Sequence, residues 1–245
     1  MTEQSLPSLF AAEQGVTCVV GAGGKKTTIY RLANELHKAV VTSTVRIPIF
    51  DKKVRRVYVT ESPETVSPES SEWPVGIVPE QERSDRYRGF DPTTIDEFAS
   101  KIGDPVLVKA DGARTRHLKA PDSREPQIPS TASTVIPIAS ARAIGKQLTE
   151  DWVHRPERVA DITGKSIGDN IEPADIAAVL GSKQGGLKQV PSDATVVGLI
   201  NMVDTEADKE QALAAAKQAI NNQQIEQIIL AQMIAENPIV EQVTH

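Results

Sequence analysis

The sequence has one cysteine, Cys18, in 245 residues. A lone cysteine can build neither a disulfide nor a thiolate metal cluster. Its place in the apolar run 16–20 predicts a buried, reduced thiol in a cytoplasmic protein. Histidine is also scarce: His37, His117, His154 and the terminal His245 do not make a zinc set. Nowhere do 18 uncharged apolar residues run together, and the first residues, MTEQSLPSLFAAEQG, lack a basic segment leading into an apolar one. Membrane spanning and secretion are therefore not expected. The net charge of -6, from 33 acidic and 27 basic residues, gives no broad field for nucleic acid or a membrane surface. No repeat period is present, which excludes solenoids.

What is present is an alternation of apolar strand patterns with helical ones. Strands are predicted at 16–20, 39–42, 54–60, 106–110, 133–140, 194–204 and 225–232, and helices at about 26–38 and 206–220. Pro173 marks a helix start in EPADIAAVL. Pro137 argues that the 133–140 strand is an edge or ends early. Such a pattern predicts an α/β fold, a mostly parallel sheet with helices on both faces, in one domain over 1–245. Two departures are expected from it. Residues 61–100, proline-rich and charged through 92, read as an exposed excursion that Trp73 and Phe90 are available to pin, and 141–190 as a helical and loop insertion.

In a parallel sheet, functional groups gather at the carboxyl ends of the strands. Four polar stretches fall at predicted ends: 21–28, 42–46, 111–119 and 201–204. The first, GAGGKKTT, offers Gly21, Gly23 and Gly24 for a tight turn, Lys25 and Lys26 for charge at a helix start, and Thr27 and Thr28 for hydroxyls. Phosphate oxygens need that combination. The stretch departs from G-x-x-x-x-G-K-[ST], so either lysine can be the phosphate lysine, and Thr27 would have to serve as the magnesium hydroxyl. The alternative is a plain strand-to-helix turn with solvated lysines. A dinucleotide site is weaker, because G-x-G-x-x-G spacing is missing.

Asp111 follows a strand directly, where a carboxylate can hold Mg²⁺ or its water, or merely cap a turn. Arg114, Arg116, His117 and Lys119 follow as a basic loop able to grip a second anion. Thr42, Ser43 and Thr44 could position a ligand, and Asn201 and Asp204 in INMVD could read a base.

The stretches VVGAGGKKTTIYRLANEL, VVTSTVRI, VLVKADGARTRHLKAPDSREPQIP, GKQLTEDWVHRPE and LINMVD resemble the YqeC-type accessory proteins. These are described as selenium-dependent hydroxylase accessory proteins and linked to molybdenum hydroxylase maturation. The resemblance spans nearly the whole chain, and 106–129 is its most specific part. It implies a P-loop nucleotide-binding fold of the NTPase class. Aligned without a gap, the family's lysine falls on Lys25 and its first threonine on Lys26. The family's acidic residue before the A-D-G run is Lys109 here, which removes a carboxylate. Asp111, Gly112, Arg114, Lys119, Pro121, Glu125 and Pro126 carry over as the signature loop, and His154, Arg155 and Pro156 match a second segment. Asn201 and Asp204 resemble N-K-x-D, with Met202 in place of the lysine. Any selenium connection belongs to the pathway, since Cys18 is a poor carrier.

The expectation is a cytoplasmic, Mg²⁺-dependent protein that binds ATP or GTP, a slow NTPase assisting hydroxylase or cofactor maturation. Its expected partners are nucleotide and a molybdenum hydroxylase or cofactor-maturation protein. Lys25 or Lys26 would neutralise phosphate, Thr27 and Asp111 would hold magnesium, and Arg114 or Lys119 would contact a transferred group. The rivals are a small-molecule or cofactor-precursor kinase and a non-enzymatic adaptor.

Overall fold

The computed structural model describes residues 4–50 and 52–245. In chain order the elements are α1 (Leu6–Leu9), β1 (Val16–Gly21), α2 (Lys25–Glu35), β2 (Val40–Ser43), β3 (Ile47–Pro48), β4 (Arg56–Val59), β5 (Val75–Val78) and β6 (Arg86–Tyr87). These are followed by α3 (Pro92–Ala99), β7 (Val106–Lys109), β8 (Leu118–Lys119), β9 (Ala132–Ser140), β10 (Val153–His154), α4 (Pro156–Thr163), α5 (Pro173–Gly181), β11 (Thr195–Asn201), α6 (Glu206–Ala219), β12 (Gln227–Ala231) and β13 (Ile239–Thr244).

Among the described residues a nine-stranded sheet runs in the order β13-β12-β11-β9-β1-β7-β2-β5-β4. Every pairing in it is parallel except the last at one edge, β12 with β13. Helices cover both faces, as the alternation of apolar strands and helices predicts. Val19, Val41, Leu107 and Ile136 face one side and pack with Ile29 and Leu32 of α2 and with α1. Cys18, Val20, Val40 and Val108 face the other and meet Ile95 and Phe98 of α3. Farther along that second face, Val196, Ile200, Ile228 and Leu230 pack against α5 and α6. Central strands buried on both faces read as unbroken apolar runs, which is why β1, β7 and β12 stand out in the sequence.

Three expectations need correction. β9 is an interior strand between β1 and β11, despite Pro137. Its ladder to β11 pairs Val135 with Val196 and Ile138 with Leu199, and passes over the 136–137 step. The missing N–H is thus accommodated inside the sheet. The supposed exposed excursion supplies β5, all four of whose residues are buried. Trp73, Phe90, Ile95 and Phe98 are core residues there. Composition misled because the prolines and charges flank a short VGIV strand. The third is β13, a half-exposed edge strand absent from the sequence reading, whose burial follows no clean alternation.

Candidate functional site

Parallel strands leave β1, β2, β7, β9 and β11 ending on one edge of the sheet. The four polar stretches therefore meet there. The turn from β1 to α2 is the tightest part. Gly21, Gly23 and Gly24 have φ of 88°, 104° and 122°, a region side chains rarely enter. A Cβ on Gly21 would lie 2.2 Å from the Ile138 carbonyl oxygen, and one on Gly24 would lie 2.3 Å from Asn201 Nδ2. The glycines are thus required by packing on β9 and β11, whatever the loop binds.

α2 begins at Gly24 with no side-chain cap and no acidic residue in its first turn. The first-turn N–H groups of a helix lack partners within the helix, so its start attracts an anion. Lys25 is buried and folds back: its ammonium donates to the Gly21 carbonyl and lies 2.9 Å from Asp111 Oδ1. Lys26 and Thr27 are half-buried on the same turn. Thr28 is buried and donates from Oγ1 to the Gly24 carbonyl, 3.2 Å away, so its hydroxyl serves the helix.

Asp111, just past β7, is the hub. Its Oδ2 accepts from the Gly21 N–H and lies on Lys119 Nζ, both at 2.9 Å. Oδ1 has the Lys25 charge beside it but no donor aligned for a hydrogen bond. The chain of charges continues from Lys119 to Glu125 at 2.8 Å, from Glu125 to Arg155 at 2.7 Å, and from Arg155 to Asp122 at 2.6 Å. Burial pushes Asp111 up, but Lys25, Lys119 and the Gly21 N–H outweigh it and hold the carboxyl below its usual range. Glu125 is likewise pushed up by burial and held low by Lys119, Arg155 and the Gly112 N–H. Burial pulls Lys25 below its ordinary value, against the charge of Asp111.

Of the two residues expected to contact a transferred group, Arg114 or Lys119, Lys119 lies inside the protein. Its side chain is fully buried, bonded to the Gly112 carbonyl and to both carboxylates. It is a structural cation, placed by β8 pairing with β10. Arg114, by contrast, is exposed, on a backbone with φ of 46°. Arg155 is the functional-edge residue whose task the sequence did not reveal. It pins the 120–126 loop through two carboxylates. The signal was there as two acids, Asp122 and Glu125, between the prolines of KAPDSREP. Burial, with Arg155 and Lys119 adding to it, lowers neighbouring His154 to about 4, so it is neutral at pH 7.

Asn201 and Asp204 both have protein partners. Asn201 donates to the Gly23 carbonyl at 2.7 Å and accepts from the Met233 N–H at 3.1 Å. Asp204 is bound by Arg142 at 2.7 Å and Gln232 at 2.9 Å. Ser43 and Thr44 donate to the carbonyls of Lys109 and Gln127 at 2.7 and 2.6 Å, while the Thr42 hydroxyl is buried without a hydrogen-bond partner. Cys18 is fully buried and burial pushes its thiol up, as an inert core thiol should be.

Lys109 ends β7 between β1 and β2, 7% exposed, with Nζ on the Arg46 carbonyl at 2.9 Å. Burial, reinforced by the Lys25 charge and opposed by Asp111, lowers it to about 7.

In this structure both Asp111 oxygens already face ammonium groups, so that carboxylate does not stand open for magnesium. Among the described residues no three His, Cys, Asp or Glu side chains converge on a common point. Asp111 is flanked by two ammonium groups. At ~4 Å and an effective dielectric of ~20, each unit charge acts on a divalent ion by on the order of 8 kcal/mol, so two ammoniums outweigh the one carboxylate while both stay in place. The same ammoniums and the uncapped helix start would attract an anion.

The fold and this glycine-rich strand-to-helix turn define an open, mostly parallel α/β protein of the Rossmann and P-loop-like kind. The chain belongs to the YqeC family, whose family model, described as YqeC protein, matches residues 17–157. It is 29% identical over 248 residues to the uncharacterized protein YqeC of Escherichia coli strain K12, covering 92% of this chain and 90% of that one. No solved structure matches. No helix among the described residues is long and apolar enough to cross a membrane.

Proposed function

We propose that the protein binds a nucleoside triphosphate, ATP or GTP, with its phosphates against the start of α2, and acts as an accessory protein in molybdenum hydroxylase or cofactor maturation. The observation carrying the binding reading is that α2 opens on a glycine with no cap and no acid, while Lys25 is folded in beneath it. Lys25 is the phosphate lysine in this reading: its ammonium already lies within the loop, and an arriving phosphate would draw it off Asp111. Arg114, exposed on the adjoining loop, is the cation best placed to meet a further anionic group. The maturation role rests on the resemblance to YqeC-type accessory proteins.

Asp111 is already neutralised by two lysines, which suits a binding switch better than rapid hydrolysis. The burial of Lys119 weakens the kinase alternative, because the cationic loop that suggested it has one fewer group to offer.

Titration with fluorescent ATP and GTP analogues tests the reading. Saturable binding below about 1 mM, weakened about tenfold or more by Lys25→Met, is expected. A folded protein that shows no saturation with either nucleotide rejects it. The accessory role predicts that capture of a molybdenum hydroxylase depends on nucleotide and is lost in the same variant.

A further inference from the structure

Resting on the nucleotide reading, we infer that this site holds the triphosphate as the metal-free anion, with the Lys109 ammonium supplying charge that a divalent cation would otherwise bring. The geometry around Asp111 is the basis. Both of its oxygens are faced by ammonium groups, Lys25 on one and Lys119 on the other, each at 2.9 Å. Lys25 can leave for a phosphate, because it sits on the first turn of α2 and its remaining contact is the Gly21 carbonyl. Lys119 cannot leave. Its side chain is fully buried and shared among Asp111, Glu125 and the Gly112 carbonyl. Asp111 therefore keeps one cation in any liganded form, and the oxygen that Lys25 vacates is no strong metal ligand by itself.

Lys109 adds a third buried lysine at the same strand ends. Its register partners are Val19 of β1, two residues before the glycine turn, and Ser43 of β2. Its backbone carbonyl accepts from the Ser43 hydroxyl and its ammonium reaches Arg46, so the group is fixed at the mouth of both loops. Lys25 and Lys119 contact two carboxylates, Asp111 and Glu125, whose charge Lys109 feels at longer range, and Glu125 is also shared with Arg155. A polyphosphate brings negative charge to these lysines without any need for a metal ion.

The experiment is a titration of the full chain with fluorescent ATP and GTP, in excess EDTA and again in excess magnesium chloride. Dissociation constants agreeing within about threefold are expected, against a difference of about tenfold or more if a metal is required. Lys109→Met should weaken binding in EDTA about tenfold, with its thermal transition confirming the fold. Binding seen only with magnesium overturns this inference and leaves nucleotide binding intact. Wild-type affinity in Lys109→Met removes Lys109 from it. Absence of binding in both buffers removes the nucleotide reading, and this inference with it.

Discussion

Two sets of ion pairs in this molecule have similar chemistry and opposite surroundings. At the carboxyl edge of the sheet, Lys25, Asp111, Lys119, Glu125, Arg155 and Asp122 alternate in sign along one chain, and its inner members are sealed from water. Around the small β3–β6 pair, Arg46 with Glu82, Arg86 with Asp85, and Arg88 with Glu61 and Glu80 form pairs as short, with arginines 39–64% exposed. Short distance is common to both sets, so distance does not distinguish them. Water does: the outer pairs are screened by solvent, whereas each inner charge depends on its neighbours for solvation.

The sharpest way to break the comparison is Lys119→Met, which leaves Asp111 and Glu125 buried without their shared cation. A loss of about 3–5 kcal/mol in urea unfolding is expected, and a change no larger than that of a surface variant would refute the distinction. Next is Gly21→Ala, which drives a methyl into the Ile138 carbonyl from an unfavourable φ. It should cost about 3 kcal/mol, while Gly112→Ala, whose added Cβ would stay 3.4 Å from Glu125 Oε1, should cost less than about 1 kcal/mol.

Acid separates the two sets by degree of burial. Asp111 and Glu125 have folded values below their ordinary 3.8 and 4.5, so the folded state binds fewer protons than the unfolded one in that range. Their contribution is complete above about 4.5 and is lost as pH falls through the folded values. Replacing Glu125 by Gln should flatten the decline of melting temperature below pH 4.5, and an unchanged acid limb would contradict the assignment.

Lys109→Met is expected to stay within about 1 kcal/mol of the parent at pH 7, because relief of a buried charge offsets the lost bond to Arg46. The smallest effect belongs to the outer set. Glu82→Gln should leave the thermal transition unchanged within error in both low and high salt.

Much of the sheet was legible because parallel strands buried on both faces must be continuously apolar, as TCVV, VLV and IILA are. Strand ends were legible for the same reason, since the pattern stops where backbone meets solvent. Pro137 and the VGIV strand were misread because local rules describe an average strand. Whether a missing N–H matters depends on which neighbours the strand acquires. Roles were harder than places. Lys119 reads as one cation of a basic loop, and only the pairing of β8 with β10 buries it; Asn201 reads as a polar residue after a strand, and only the fold sets its amide against the glycine turn.

The amino-acid order alone settled the alternation of strand and helix, the glycines that a tight turn demands, and the placing of polar groups after apolar runs. These depend on near neighbours in the chain. Folding decided which charges lose water and which partners they find, because residues 21, 111, 125 and 155 are far apart in the chain and meet only once the large sheet and the small β8–β10 pair are in place. Desolvation depends on everything packed around a group, and no stretch of sequence contains that information.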